Sequence, residues 1–161
     1  MTLAVLVASA AASAAWQVAP LVVVEGRDPV LCGYVYTAPD GLELRVEKGV
    51  RGTEAVFTAL EARGAVDVQL VTASFDSRRD LRPGQSGPDH VRFEADLENV
   101  DAGGMLFVEL GVSGGRLRVA RREQDGADPV ALRWTEHALP SPLPRDITAM
   151  YLNCAGDLIR P

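Results

Sequence analysis

The sequence contains few residues that could bind a metal ion or react as a thiol. The 161 residues include two cysteines and two histidines, too few for the multi-ligand zinc sites of small domains. Lys48 is the sole lysine, and aromatic residues make up 6% of the chain. We therefore expect neither a metal ion nor a cofactor.

Positive charge is scarce as well. Sixteen Lys and Arg residues stand against 22 Asp and Glu residues, which gives a formal net charge of −6. This balance argues against a nucleic-acid partner, because nucleic-acid binding requires the neutralisation of phosphates. The composition, with 47% hydrophobic and 24% charged residues, is that of a globular protein, and the length fits one domain.

The first 24 residues carry no charged side chain. The segment Leu3–Ala15 is apolar and rich in small residues, like the central region and cleavage site of a secretory signal. Although no basic residue precedes it, we expect a signal peptide over residues 1–15 and a periplasmic or secreted mature chain over 16–161, without a stable membrane span. The alternatives are an uncleaved membrane anchor, which Pro20 would interrupt, and a buried first helix.

The two cysteines lie towards opposite ends of the mature chain, at Cys32 and Cys154. In an oxidising compartment, such a pair predicts one disulfide that joins the first strand to the last element. Closing a loop of this length stabilises a fold by about 4–5 kcal/mol in the chain-entropy model. Two separate buried thiols are the alternative. A redox pair is disfavoured because the sequence has no C-x-x-C motif.

Apolar and polar residues alternate along much of the chain. Alternation with one buried and one wet face is typical of antiparallel strands, and turn signals rich in Gly, Pro and Asp separate the runs. Seven or eight short strands predict an all-β sandwich or barrel, with a core over about residues 30–135 and a C-terminal extension over 136–161. The runs cover residues 30–36, 42–47, 66–75, 91–97, 106–112, 116–119 and 130–134.

Two segments also fit a helical pattern. Thr53–Gly64 has an N-cap and a C-terminal glycine suited to a helix, but we favour a strand because the surrounding pattern is that of a sheet. Near the C-terminus, apolar residues at helical spacing predict one short helix that directs a cysteine towards the core. These residues are Ile147, Met150, Tyr151 and Cys154.

Few residues suggest catalysis. Ser86 lies in a Gly-Gln-Ser-Gly loop four residues before His90, but the spacing is not that of G-x-S-x-G and the context is not a strand-to-helix turn. His137 is a second isolated histidine. We therefore expect no enzyme, with a small serine hydrolase that uses Ser86 and His90 as an alternative.

Arginines are clustered. At two-residue spacing, Arg116, Arg118 and Arg122 share one face of a predicted strand. This stripe could hold an acidic partner or guard an edge strand against unwanted pairing. The alternative is an ordinary solvent-exposed face whose charge is partly neutralised by acidic residues of neighbouring strands. A second group, in a loop, comprises Arg78, Arg79 and Arg82.

The order of elements between Cys32 and Arg122 resembles that of the CsgC/CsgH family of curli-assembly proteins. The segments that carry the resemblance are the strand after Asp40-Gly41, GTEAVFTALEARG, the strand that ends at Phe75, the LRPGQ loop and GGMLFVELGVSGGRLRV. Members of the family are small periplasmic immunoglobulin-like sandwiches that keep amyloid subunits from assembling prematurely. The chain departs from the family after Asp125 and lacks the C-x-C of one branch.

The resemblance implies an immunoglobulin-like sandwich and a role as an accessory or chaperone of curli-like fibre assembly. We expect an exported, non-catalytic domain that binds another protein, namely an unfolded or fibrous client, through Arg116, Arg118 and Arg122. Salt-sensitive contacts would allow release of the client. The alternative from a different class is a structural subunit of a cell-surface or virion assembly.

Overall fold

Two antiparallel sheets and three helices form the described part of the chain. The computed structural model describes residues 15–51, 55–95, 100–123 and 131–158. The predicted signal peptide, apart from residue 15, lies outside these residues. The proposed N-cap Thr53 and the turn signals at 125–129 also lie outside them.

Six strands, numbered along the chain, form the larger sheet. Their bounds are Gln17–Glu25 (β1), Asp28–Thr37 (β2), Glu43–Arg51 (β3), Ala55–Arg63 (β4), Arg82–Pro83 (β6) and His90–Ala95 (β7). Every neighbouring pair is antiparallel, in the order β1-β2-β3-β4-β7-β6. The sequence pattern missed β1, because its uncharged residues continue the apolar N-terminal segment and precede the predicted core.

Three strands form the smaller sheet. They are Asp67–Val71 (β5), Arg116–Arg122 (β8) and Leu132–Ala138 (β9), in the order β5-β8-β9 and antiparallel throughout. The helices are Ser77–Asp80 (α1), Val100–Val112 (α2) and Arg145–Asp157 (α3). This arrangement confirms the predicted mainly β sandwich with a short C-terminal helix.

Both sheets and the two long helices contribute to one apolar core. Alternate residues of β2, namely Cys32, Tyr34 and Tyr36, are almost completely buried, as the period of a strand requires. The smaller sheet buries one face in the same way. Its residues in the core cluster are Val68, Leu70, Leu117 and Val119, and α2 and α3 add Leu106, Phe107, Leu110, Ile147 and Tyr151.

The segment over residues 106–112 is helical, so the prediction of a strand there is wrong. Leu106 and Leu110 are buried, whereas Val108 is 51% exposed, and this spacing is that of a helix. The alternation misled because leucines four residues apart also share a helix face. The Ser-Gly-Gly sequence that predicted a hairpin follows the helix instead, and Gly114 has the left-handed φ of 69° common after helix ends.

The two ambiguous segments are resolved by the structure. Residues 55–63 form β4, which confirms the preference for a strand. The C-terminal helix is confirmed as α3: Ile147, Tyr151 and Cys154 face the core, whereas Met150 is exposed. The strand predicted over residues 66–75 is longer than the observed strand β5, which ends at residue 71.

A disulfide between Cys32 of β2 and Cys154 of α3 joins the larger sheet to the last helix, with 5.8 Å between the Cα atoms. It spans 122 positions of the chain. Within the described residues, no helix is both long enough and apolar enough to cross a membrane.

Charged side chains cover the outer face of the larger sheet. Arg92 of β7 lies 2.9 Å from Glu47, 2.8 Å from Glu61 and 2.5 Å from Glu94. Burial alone would raise the pKa of Glu61, but hydrogen bonds from Arg63 and Arg92 outweigh it and lower that pKa. Arg92 thereby compensates Glu47 and Glu61, both of which are buried.

Lys48 lies on the opposite, inner face of β3, where it is 7% exposed. It is paired in the ladder with Cys32 on one side and Thr58 on the other. Burial lowers the pKa of its ammonium group, and no acidic residue in the described part of the chain forms an ion pair with it. The sole lysine is therefore placed where its charge is costly.

Candidate functional site

The outer face of the smaller sheet brings the predicted arginine stripe together. Arg116, Arg118 and Arg122 of β8 are all exposed on this face. The ladder places residues of β5 and β9 beside them, because directly paired residues of neighbouring strands share a face. These neighbours are Asp67, Gln69 and Val71 on one side and Leu132, Trp134, Glu136 and Ala138 on the other.

A fourth arginine reaches this face from α1. The Asp76 side chain accepts a hydrogen bond from the Arg78 amide at the start of α1, and Ser77 Oγ accepts one from the Leu70 amide of β5. These contacts fix α1 against the sheet. The Arg78 guanidinium lies 2.7 Å from Asp67 Oδ2, with its Cζ 5.1 Å from the ring centroid of Trp134.

Trp134 lies at the centre of this cluster. Asp67, Ala120 and Trp134 form one row across the three strands, so the guanidinium of Arg78 lies above the small side chain of Ala120. Arg118 Cζ is 5.2 Å from the same ring, which places two guanidiniums within cation–π distance. We call the set formed by Arg78, Arg116, Arg118, Arg122, Leu132 and Trp134 the basic face.

The alternation over the predicted strand 130–134 put its apolar residues Leu132 and Trp134 on the core side, and this is wrong. Leu132 is 45% and Trp134 36% exposed. The inner side of β9 carries Arg133, Thr135 and His137 instead. Cation–π contact with two arginines, rather than burial in the core, covers much of the indole. Because Arg78 and Arg118 are distant from the tryptophan in sequence, no local pattern suggested this contact.

The charge of the basic face is positive in a protein that is negative overall. Arg118 donates a long hydrogen bond to Gln69, 3.5 Å between the atoms. Arg116 and Arg122 form no ion pair with any described residue. Four guanidiniums on this face therefore stand against three carboxylates, those of Asp67, Glu136 and Asp76, the last of which accepts hydrogen bonds from Gln69.

Two expectations about the arginines need correction. The stripe lies on β8, the central strand of its sheet, so it does not guard an edge. The loop arginines do not stay together: Arg78 joins the basic face, Arg79 pairs with Asp80 at 2.7 Å, and Arg82 lies in β6 of the other sheet.

Ser86 and His90 make separate contacts in the described structure. Ser86 Oγ accepts a hydrogen bond from the Arg92 amide at 3.1 Å. Within the described residues, no hydrogen bond joins it to the His90 imidazole, and His90 pairs with Arg63 in the β4–β7 ladder. No group of three or more His, Cys, Asp or Glu side chains in this part of the chain could hold a metal ion.

An open groove lies at one end of the smaller sheet. Arg121 and Arg133 face each other across the β8–β9 ladder and line it with Arg122, Asp89 and Glu123. Arg121 donates to Asp40 at 2.7 Å, and this hydrogen bond lowers the pKa of the Asp40 carboxyl. The mixed signs of charge in the groove favour no single ligand chemistry.

No protein-family model, curated protein or solved structure matches the chain. The resemblance to the CsgC/CsgH family therefore stays a prediction from the order of elements in the sequence.

Proposed function

We propose that this protein is an exported, non-catalytic binding module that holds an unfolded or fibre-forming polypeptide on its basic face. In its most specific form, the proposal is an accessory or chaperone of curli-like fibre assembly. The observation that carries the proposal is the presence of four exposed arginines on the sheet face that carries Trp134, two of them within cation–π distance of its ring.

The chemistry of this face suits a reversible contact with an acidic polypeptide. Exposed guanidiniums attract carboxylates over about 8–10 Å at moderate salt, and the half-exposed Trp134 and Leu132 offer apolar area beside them. Exposed ion pairs are individually weak, so several small contributions give specificity and still allow release.

Export is supported by two independent features. One is the apolar, small-residue N-terminal segment typical of a secretory signal. The other is the Cys32–Cys154 disulfide, because such bonds persist mainly in oxidising compartments. A periplasmic or secreted location is therefore part of the proposal.

Charge reversal on the basic face tests the binding function. In the triple variant Arg116→Glu, Arg118→Glu and Arg122→Glu, we expect loss of the protein's ability to lengthen the aggregation lag time of an acidic amyloid-forming polypeptide. Calorimetric titration with the same polypeptide should show binding that weakens as salt is raised.

A matched control changes the net charge equally at exposed arginines elsewhere. The variant Arg27→Glu, Arg82→Glu and Arg145→Glu should delay aggregation as the unmodified protein does. If the first triple variant also delays aggregation as well as the unmodified protein, the basic face is not the binding surface.

A further inference from the structure

Three of the four sheet edges in the described chain carry a feature that disfavours strand pairing. β1 contains Pro20, which has no amide proton, and its ladder with β2 is irregular at Val23/Val24. β6 is two residues long. At β5, Ser77 Oγ accepts a hydrogen bond from the Leu70 amide, and Asp76 forms an isolated β-bridge with Val71. The start of α1 therefore covers this edge.

The fourth edge, β9, has none of these protections. It pairs with β8 over seven residues without a register shift and contains no proline. None of its residues is buried, unlike those of β8, where Leu117, Val119 and Ala120 are inaccessible to solvent. β9 is therefore an exposed strand that pairs with β8 on one side and with no described strand on the other.

Two hydrogen bonds that flank the ladder show which backbone groups of β9 point away from β8. Glu123 N–H donates to Ala131 O at 3.1 Å, and Leu139 N–H donates to Gly115 O at 2.8 Å. Hydrogen-bonded and non-hydrogen-bonded pairs alternate along an antiparallel ladder. The odd-numbered residues of β9 between these two points therefore form the backbone hydrogen bonds to β8. The amides and carbonyls of the even-numbered residues point outward, namely those of Leu132, Trp134, Glu136 and Ala138.

The same four residues carry their side chains on the outer face, beside the arginines of β8. We propose that β9 is a docking edge that accepts an extended acidic segment of the client as a fourth strand of the smaller sheet. Main-chain hydrogen bonds would supply affinity, and side chains on alternate positions would supply specificity. This inference rests on the proposed function and names its binding mode.

Charge and exposure determine the chemistry of the added strand. A residue opposite Trp134 would place its side chain on the basic face, beside the guanidiniums of Arg78 and Arg118, so an acidic side chain is favoured there. Carboxylates on the same face would lie within reach of Arg118 and Arg122. The intervening residues of the added strand would lie on the other face, where the partly buried Thr135 and His137 of β9 favour apolar side chains. The partner is thus an extended segment of alternating acidic and apolar residues.

Amide hydrogen exchange tests strand addition directly. The probe is an eight-residue peptide of alternating Glu and Val, blocked at both ends, with a Lys and Val peptide as the control. We expect saturating Glu peptide, but not Lys peptide, to slow exchange of the Leu132, Trp134, Glu136 and Ala138 amides about tenfold or more. Amides of β1 should be unchanged.

A proline variant provides a second test. Glu136→Pro removes one outward amide but no hydrogen bond to β8, so we expect about tenfold weaker peptide binding. Glu136→Gln keeps the amide and removes the charge, so it should bind the acidic peptide at least as tightly as the unmodified protein.

The outcomes separate this inference from the proposed function. Peptide binding without protection of the four amides overturns strand addition, and so does an absence of peptide binding. In either case the basic face is judged independently, by the effect of its charge-reversal variant on aggregation lag time. Protection together with weakened binding by Glu136→Pro supports the docking edge.

Discussion

Phe107 of α2 stacks on Tyr151 of α3, with 4.4 Å between ring centroids and 17° between the ring planes. Tyr34 of β2 meets both rings, at 5.8 Å from Phe107 and 5.2 Å from Tyr151. This aromatic cluster joins both long helices to the larger sheet. It lies in the same core as the disulfide, but its contribution to stability can be measured separately.

Truncation of Phe107 should strongly destabilise the protein. We expect Phe107→Ala to lower the free energy of unfolding by about 3–5 kcal/mol, because it removes a fully buried ring and leaves a cavity. Urea titration would measure the loss. The control is Val108→Ala on the exposed side of the same helix, which should change stability by less than about 1 kcal/mol. Equal effects would contradict the assigned helix orientation.

Removal of the disulfide should also destabilise the fold. The double variant Cys32→Ser and Cys154→Ser should lose about 2–5 kcal/mol of unfolding free energy, because its unfolded chain is no longer cross-linked. Urea titration with and without reductant would measure the effect. Reductant should destabilise only the unmodified protein, because the chain contains no other cysteine. Unchanged stability in the double variant would contradict the prediction.

Replacement of Arg92 should make stability depend differently on pH. Arg92→Met leaves Glu47 and Glu61 buried without this partner, and we expect a loss of about 3 kcal/mol at pH 7. In the unmodified protein the pKa of Glu61 is lowered, so its contribution is present above about pH 4.3 and is lost as pH falls through the folded-state pKa.

In the Arg92→Met variant, Glu61 stays buried but loses one of the two arginines that lower its pKa, so protonation of its carboxyl should become more favourable. The stability gap between the two proteins should therefore narrow from pH 7 to pH 4, as measured by urea titration at each pH. A gap that is independent of pH would show that Arg92 acts through packing alone. Arg45→Met, at a more exposed ion pair, is the control and should show a smaller gap.

Replacement of Lys48 should stabilise the protein. Lys48→Met keeps the length of the side chain but removes a buried ammonium group without an ion pair to any described residue. Burial lowers the folded-state pKa of Lys48, so the unfolded chain binds more protons between that pKa and about 10.4. The stabilising effect should therefore be largest near neutral pH and should shrink as pH rises towards 10.

Thermal unfolding of Lys48→Met and the unmodified protein at pH 7 and pH 10 would measure this difference. Lys48→Arg keeps the charge and should give no stabilisation. A melting temperature for Lys48→Met at or below that of the unmodified protein at pH 7 would contradict the prediction.

The alternation of residues predicted most of the sheet because one face of each strand is buried. It identified the strand containing Tyr34 and the strand containing Leu117, and both lie where expected. It failed over residues 106–112, where apolar spacings of two and four coincide and local pattern cannot distinguish strand from helix. It also failed at β1, where burial on neither face imposes an alternation.

The candidate site was only partly predictable. Two-residue spacing correctly placed Arg116, Arg118 and Arg122 on one face, because that placement depends on the strand alone. The position of Arg78 on the basic face depends on how α1 packs against β5, which is a tertiary contact. Sequence pattern likewise assigned Trp134 to the core, because hydrophobicity does not reveal which face of an edge strand is covered.

The position of Trp134 also provides a spectroscopic reporter. The chain has two tryptophans, and Trp16 lies against His137, with 5.5 Å between the ring centroids. In a Trp16→Phe background, all indole emission would come from the ring flanked by Arg78 and Arg118. Occupancy of that surface could then be followed in real time without attaching a dye.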